Sequence, residues 1–172
     1  VISFLNNYLS TSKPVGFVIY IVLIVVLIRT FLVTPAAVSG SSMESTLNNH
    51  DLVIINKLVY RIKSIERFDI VVVNNDEDND RIIKRVIGLP NEIIEYKDNK
   101  LYINGELVET KLNFKDTDDF KVETKDDEYF VLGDNRPVSK DSRILGSFNK
   151  KDIVGRVGIR FYPFDKVGYV KW

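Results

Sequence analysis

From Val15 to Ile28 the chain carries no charged or strongly polar side chain. As a helix this run would be about 21 Å long, short of a hydrocarbon core of about 30 Å. Continued through Arg29 and Thr30 to Val33 it reaches about 28 Å, and Arg29 near the end can snorkel to the headgroups. Ser10-Thr11-Ser12-Lys13-Pro14 supplies a polar entry with an early proline. A core helix of a globular protein would show a polar face, and this segment has none. Two readings remain open at this point. One is an uncleaved anchor; the other is a cleaved leader, since Thr34-Pro35-Ala36-Ala37 offers small residues after the apolar run.

Beyond Val33 the period changes. Asp51 to Ile55 and Asp69 to Val73 are compact β-branched runs that predict buried strands. Arg81 to Leu89 is a third, with charges set inside it. Glu92 to Tyr96 and Leu101 to Ile103 flank Asp98-Asn99, and Asn104-Gly105 leads into Glu106-Leu107-Val108 as a hairpin signal. Glu128 to Leu132 is strand-like, and Ile153 to Tyr162 reads as a late strand bent at its interior glycines. Asn74 to Asp80 and Lys115 to Asp127 read as charged, solvated loops. The pattern predicts a mainly β chain: residues 1–14 as a short N-terminus, 15–33 as a transmembrane helix, and 34–172 as an antiparallel β-sheet domain.

Composition narrows the chemistry. Among 172 residues, 24 Lys and Arg balance 24 Asp and Glu, so no net field favours nucleic acid. Cysteine is absent and His50 is the single histidine, which excludes thiolate chemistry and multi-histidine metal sites. No metal or cofactor is called for.

Three segments could carry a reaction. Ser39-Gly40-Ser41-Ser42 follows the apolar span and by itself is either a turn or a nucleophile loop. Lys84 shares a strand face with Ile82 and Val86, while Ile83 and Arg85 point the other way. A lysine so placed either guards a sheet edge or is buried for its amine. Gly133 to Arg143 alternates acid, amide, hydroxyl and guanidinium, as a turn held by hydrogen bonds or a site scaffold would.

Taken together these segments resemble the boxes of bacterial type I signal peptidases. The matching pieces are Gly40-Ser41-Ser42-Met43-Glu44-Ser45-Thr46-Leu47, Asp51-Leu52-Val53, Arg67 to Val71, Lys84 to Pro90, Gly133-Asp134-Asn135-Arg136, Ser139 and Asp141-Ser142-Arg143. They occur in the family's order, and the likeness runs from about Val15 to Tyr162. The resemblance implies the single-span Gram-positive type: an uncleaved anchor in the plasma membrane and a catalytic domain on the outer face, near the lipid and the export machinery. It implies Ser42 as nucleophile, Lys84 as general base and Ser139 as the hydroxyl orienting Lys84. Asp134 would support Arg85, and Asp141 would support Arg143. Val38, Met43, Leu47 and Ile83 would line a shallow pocket admitting a small residue before the cut, with the signal peptide extended between Pro35–Val38 and Ile82–Lys84. A free lysine is neutral in only about one molecule in 2,500 at pH 7, so Lys84 needs desolvation to serve as a base.

The chain departs from the family pattern at defined points. Gly40 stands where some members place an oxyanion-binding serine hydroxyl, and Ser45 replaces the usual proline. His50, Phe68 and Asn91 replace turn glycines, which puts the turn geometry in question. The resemblance gives His50 no catalytic part. Rival readings are a non-cleaving homologue that assembles surface structures such as pili, a self-cleaving repressor, and a tethered β binding domain. The first predicts loss of Ser42 or Lys84; the second predicts a DNA-binding module where this chain has an apolar run.

Overall fold

The computed structural model describes residues 15–27, 32–76, 78–110, 112 and 116–170. Residues 15–27 form helix α1, and every side chain on it except Ile24 is exposed, apolar residues included. Among the described residues no helix is long and apolar enough to cross a membrane. Residues 1–14 and 28–31 of the expected N-terminus and span lie outside the described residues. Val33, the expected last residue of that span, is instead the first residue of strand β1 (Val33–Ala37).

Two antiparallel sheets follow. The larger contains β1, β2 (Leu52–Asn56), β3 (Ile70–Asn75), β4 (Asp80–Gly88), β9 (Glu128–Leu132), β10 (Phe148–Asn149), β11 (Ile153–Tyr162) and β12 (Gly168–Tyr169). Their spatial order is β1-β2-β11-β3-β4-β9-β10, with β12 on β11. The smaller sheet orders β7 (Glu106–Leu107), β6 (Lys100–Ile103), β5 (Ile93–Lys97) and β8 (Phe120–Glu123). Short helices α2 (Val59–Ile62) and α3 (Ser142–Leu145) join strands of the large sheet.

The unbroken β-branched run of β3 is explained by burial on both faces. Ile70 and Val72 pack with Val38, Met43, Leu47, Val53, Ile55 and Val157, while Val71 and Val73 pack with Ile65, Val86, Tyr129, Val131, Phe148 and Ile153. Each such side chain contributes roughly 1.5–3 kcal/mol. A third cluster, Ile87, Ile94, Tyr96, Leu101, Ile103, Phe130 and Leu132, seats the small sheet on the ends of β4 and β9. Here one expectation fails: Phe120–Glu123, inside the segment read as a solvated loop, is strand β8. Phe120 stacks against Tyr96 and Phe130, at centroid distances of 5.2 and 5.5 Å, so the aromatic contact outweighs the charged neighbours that made the segment look like a loop.

Two strands are left half-paired, and both matter. β1 pairs with β2 on one side, and β4 pairs with β9 only from Arg85 onward, leaving Asp80–Lys84 paired to β3 alone among the described residues. Four antiparallel steps, β1 to β2 to β11 to β3 to β4, make β1 and β4 parallel to each other. Their open edges flank one cleft.

Candidate active site

Ser42 sits in the tight turn that follows β1. Leu47 N–H and Thr46 N–H both donate to the Met43 carbonyl, at 2.8 and 3.1 Å, and Glu44 N–H donates to that of Ser41 at 3.1 Å. Met43 and Leu47 are fully buried and pin this turn to the core, leaving Ser42 half-exposed between them and solvent. The turn is clamped from the far side by Asn135, whose N–H donates to the Ser42 carbonyl at 3.0 Å and whose Nδ2 donates to that of Ser41 at 3.2 Å. Gly133 passes so close that an added Cβ would lie 2.5 Å from the Ser42 carbonyl oxygen.

Lys84 reaches the turn from the last residue of β4's open half. Its Nζ donates to Ser42 Oγ at 2.7 Å, and the side chain is only 4% exposed. Burial pushes its pKa below the ordinary lysine value, against the opposing pull of the Asp141, Asp80 and Asp134 carboxylates. Without its proton the amine can accept the Ser42 hydroxyl hydrogen over the same short distance. That is the geometry of a nucleophile and its base.

Arg85, the next residue, turns to the other face and spends its charge elsewhere. It binds Asp134 through two bonds of 2.8 and 2.7 Å and donates to the Phe68 carbonyl at 2.9 Å. Thr46 joins this network, donating to Asp134 Oδ2 at 2.5 Å and accepting from Arg85 at 3.1 Å, so the pair ties β4 to the nucleophile turn. Asp141 is fully buried and accepts from the Arg143 guanidinium at 2.9 and 3.0 Å and from Gly133 N–H at 3.0 Å. Asp134 beside Arg85 and Asp141 beside Arg143 are the pairings the sequence suggested. The bond expected from Ser139 to Lys84 is not formed: the Ser139 hydroxyl is buried and has no hydrogen-bond partner among the described residues. Arg136 is buried against the Tyr96 ring, 4.9 Å from its centroid, and links the loop to the small sheet through Thr117 and Tyr96.

The cleft beside Ser42 and Lys84 has a volume of about 180 Å³ and is lined by residues 37–40, 42–43 and 80–84. Val38, Met43 and Ile83 are among them. Leu47 is not; it lies wholly buried in the core cluster with Val38 and Met43 and acts through them. A larger cavity of about 690 Å³ lies against the small sheet, and neither Ser42 nor Lys84 lines it. Gly40, at the position of the missing hydroxyl, has its N–H committed to Asn49 Oδ1 at 3.0 Å.

The departures from the family pattern keep the turns rather than abolish them. His50, Phe68 and Asn91 hold φ of 68°, 71° and 61°, the left-handed backbone that glycine adopts without cost. Ser45 has φ 84°, a value no proline reaches, so the Ser42 turn has its own form here. Sequence reasoning missed the clamps formed by Asn135, Thr46 and Gly133, and Arg160, which donates to the Thr46 carbonyl and to Asp51 at 3.2 and 3.0 Å. Asn135 and Thr46 lay inside the recognised boxes; Arg160 carried no local signal.

The profile of the family described as "Signal peptidase, peptidase S26" matches residues 12–162. Signal peptidase I P of Bacillus subtilis subsp. natto is 43% identical, over 87% of this chain and 88% of its own length. Signal peptidase I S of Bacillus subtilis strain 168 is 42% identical over the same shares. A crystal structure of a signal peptidase I from Enterococcus faecalis superposes with a TM-score of 0.51 at 35% identity, covering 55% of this chain and 97% of that one. The chain belongs to the signal peptidase family, peptidase S26, whose members are serine endopeptidases.

Proposed function

We propose that the protein removes signal peptides from exported preproteins at the outer face of a membrane, with Ser42 as nucleophile and Lys84 as general base. The observation that carries this reading is the 2.7 Å contact between Lys84 Nζ and Ser42 Oγ at the head of a cleft walled by two open strand edges. An extended peptide can pair with β1 and with Asp80–Lys84 at once, adding the strand that each edge lacks. Helix α1 supplies the direction. It presents apolar side chains all round, as a lipid-embedded anchor does, and it precedes Val33, so the peptide's own apolar segment would enter from the Val33 and Asp80 ends. The peptide then runs parallel to both strands and arrives with its scissile carbonyl at Ser42.

Neutral Lys84 takes the hydroxyl proton as Ser42 Oγ attacks that carbonyl, and returns it to the leaving amine as the acyl-enzyme forms. Water attacks the ester in the second half, activated by the same amine. The Ser42 N–H is the nearest backbone donor for the oxyanion. Ala37, Val38, Met43 and Ile83 leave room for a small residue before the cut. Asp134–Arg85 and Asp141–Arg143 hold the two segments that carry nucleophile and base.

Cleavage of a preprotein by the purified chain in detergent tests this directly. Ser42→Ala and Lys84→Ala should each lower the rate on the order of 10³-fold or more, and the double variant no further, because the two residues act as a unit. Full activity in Lys84→Ala would overturn the mechanism. A chain that binds but never cuts would point instead to an assembly factor.

A further inference from the structure

The cleft contains a positive charge that the reaction does not use. Arg81 lines it, from the open half of β4. Alternation along that strand puts Arg81 on the face of Ile83, which packs with the Val38 and Met43 cluster, while Ile82 packs with the cluster on the other side of the sheet. Arg81 stands opposite Asn74 on β3, and its Nε donates to Asn74 Oδ1 at 3.2 Å. That is its one side-chain hydrogen bond among the described residues. Asn74 therefore holds the guanidinium at Nε; Arg81 lines both this cleft and the neighbouring cavity formed with residues 74–76 and 79–80, and its four terminal N–H donors make no hydrogen bond among the described residues.

The next step rests on the substrate direction given under Proposed function. The residue before the cut sits against Ile83, Val38 and Met43. The next side chain on that face belongs to the third residue before the cut, about 6.6 Å upstream along an extended strand. Ile83 and Arg81 are separated by the same two positions of a strand running parallel to it. We infer that Arg81 is a specificity-determining residue that reads the third residue before the cut, favouring small side chains that bear an acceptor, such as Ser or Asp, and rejecting Lys and Arg. Asp80 also lines the cleft, but it leaves the strand on the opposite face with Ile82 and Lys84, and Asp78 is paired with Lys140 at 2.6 Å, so on the face of Ile83 the cleft's charge is that of Arg81.

The experiment uses the full chain in detergent and four versions of one preprotein, with Ala, Ser, Asp or Lys three residues before the cut. The quantity read is the ratio of kcat/KM for the Asp and Lys versions, internal to each enzyme, compared among the unaltered chain, Arg81→Gln and Arg81→Glu. An exposed ion pair changes a rate constant by roughly 1.4- to 5-fold, and attraction of Asp adds to repulsion of Lys. The ratio should favour Asp by about 2- to 25-fold in the unaltered chain, approach one in Arg81→Gln and invert in Arg81→Glu. It should also shrink towards one in about 0.5 M salt. The same substitutions two residues before the cut point away from Arg81 and should give ratios that do not depend on it. A ratio identical in all three enzymes overturns the inference while leaving the peptidase reading intact. Failure to cut even the Ala version overturns that reading, and this one with it. If Arg81→Glu does not fold, Arg81→Gln and the salt series decide.

Discussion

The two sheets are built by the same antiparallel pairing but bury different kinds of side chain. The small sheet, an open β7-β6-β5-β8 ladder, buries an apolar face of Ile94, Tyr96, Leu101, Ile103 and Phe120, and the ion pair of Lys121 with Glu95 at 3.1 Å lies on its surface. The large sheet stops pairing at β1 and at Asp80–Lys84, and it buries Lys84, Arg85, Asp134 and Asp141 beside that gap. Unpaired strand edges are a hazard that most proteins cover. Here the gap is where a peptide can be held, and the buried charges are what keep the gap's two walls in register.

That contrast can be broken in several places. Gly133→Ala puts a methyl group against the Ser139 side chain and the Ser42 carbonyl, so the Ser42 turn must shift. A displacement near 1 Å at a nucleophile costs about 10²-fold, so the variant should fold and yet cleave about a hundred times more slowly, as measured on a preprotein. Asp134→Ala leaves the Arg85 guanidinium buried without its carboxylate and should cost about 3–5 kcal/mol in urea unfolding, with loss of activity. Phe120→Ala in the small sheet should cost about 2–3 kcal/mol but leave the rate per folded molecule near that of the unaltered chain. Equal loss of activity in both would show that the two sheets are not separable in function.

Lys84 sharpens the comparison through pH. Its folded pKa lies below the unfolded value of about 10.4, so between the two the unfolded chain binds more protons and stability rises with pH. Burying the ammonium therefore destabilises the fold most at pH values below the folded pKa. Lys84→Met should melt at a higher temperature than the unaltered chain near pH 7, with the advantage fading as pH approaches 10. Cleavage by the unaltered chain should rise across the same window as the neutral amine appears; a flat profile would assign the base to another group. The smallest effect belongs to His50, which is exposed at φ 68°. His50→Gly should add up to about 1 kcal/mol of stability and leave cleavage unchanged. Ser45→Pro is the opposite case, since φ 84° excludes proline, and it should disturb the nucleophile turn.

Much of the large sheet was legible because its strands are local patterns. Asp69 to Val73 and Arg81 to Leu89 announce themselves by β-branching and by charges at fixed parity, and the observed strands differ from them by a residue or two. Ser42, Lys84, Asp134 and Asp141 were legible as boxes in order along the chain, before any of them had a position in space. β8 was not, because what makes Phe120 a strand residue is Tyr96 and Phe130, rings supplied by distant segments. Nor was the fate of Leu47 or of the Ser139 hydroxyl, since whether a side chain faces a cleft, a core or no partner at all depends on packing that no run of neighbours encodes. The sequence by itself determined the kinds of group available and the two faces of each strand, because side-chain chemistry and strand parity are properties of the chain. Only the tertiary structure decided that β1 and the first half of β4 each keep one open edge and run parallel, and that Lys84 is buried 2.7 Å from Ser42, because desolvation and edge pairing are set by everything that packs around them.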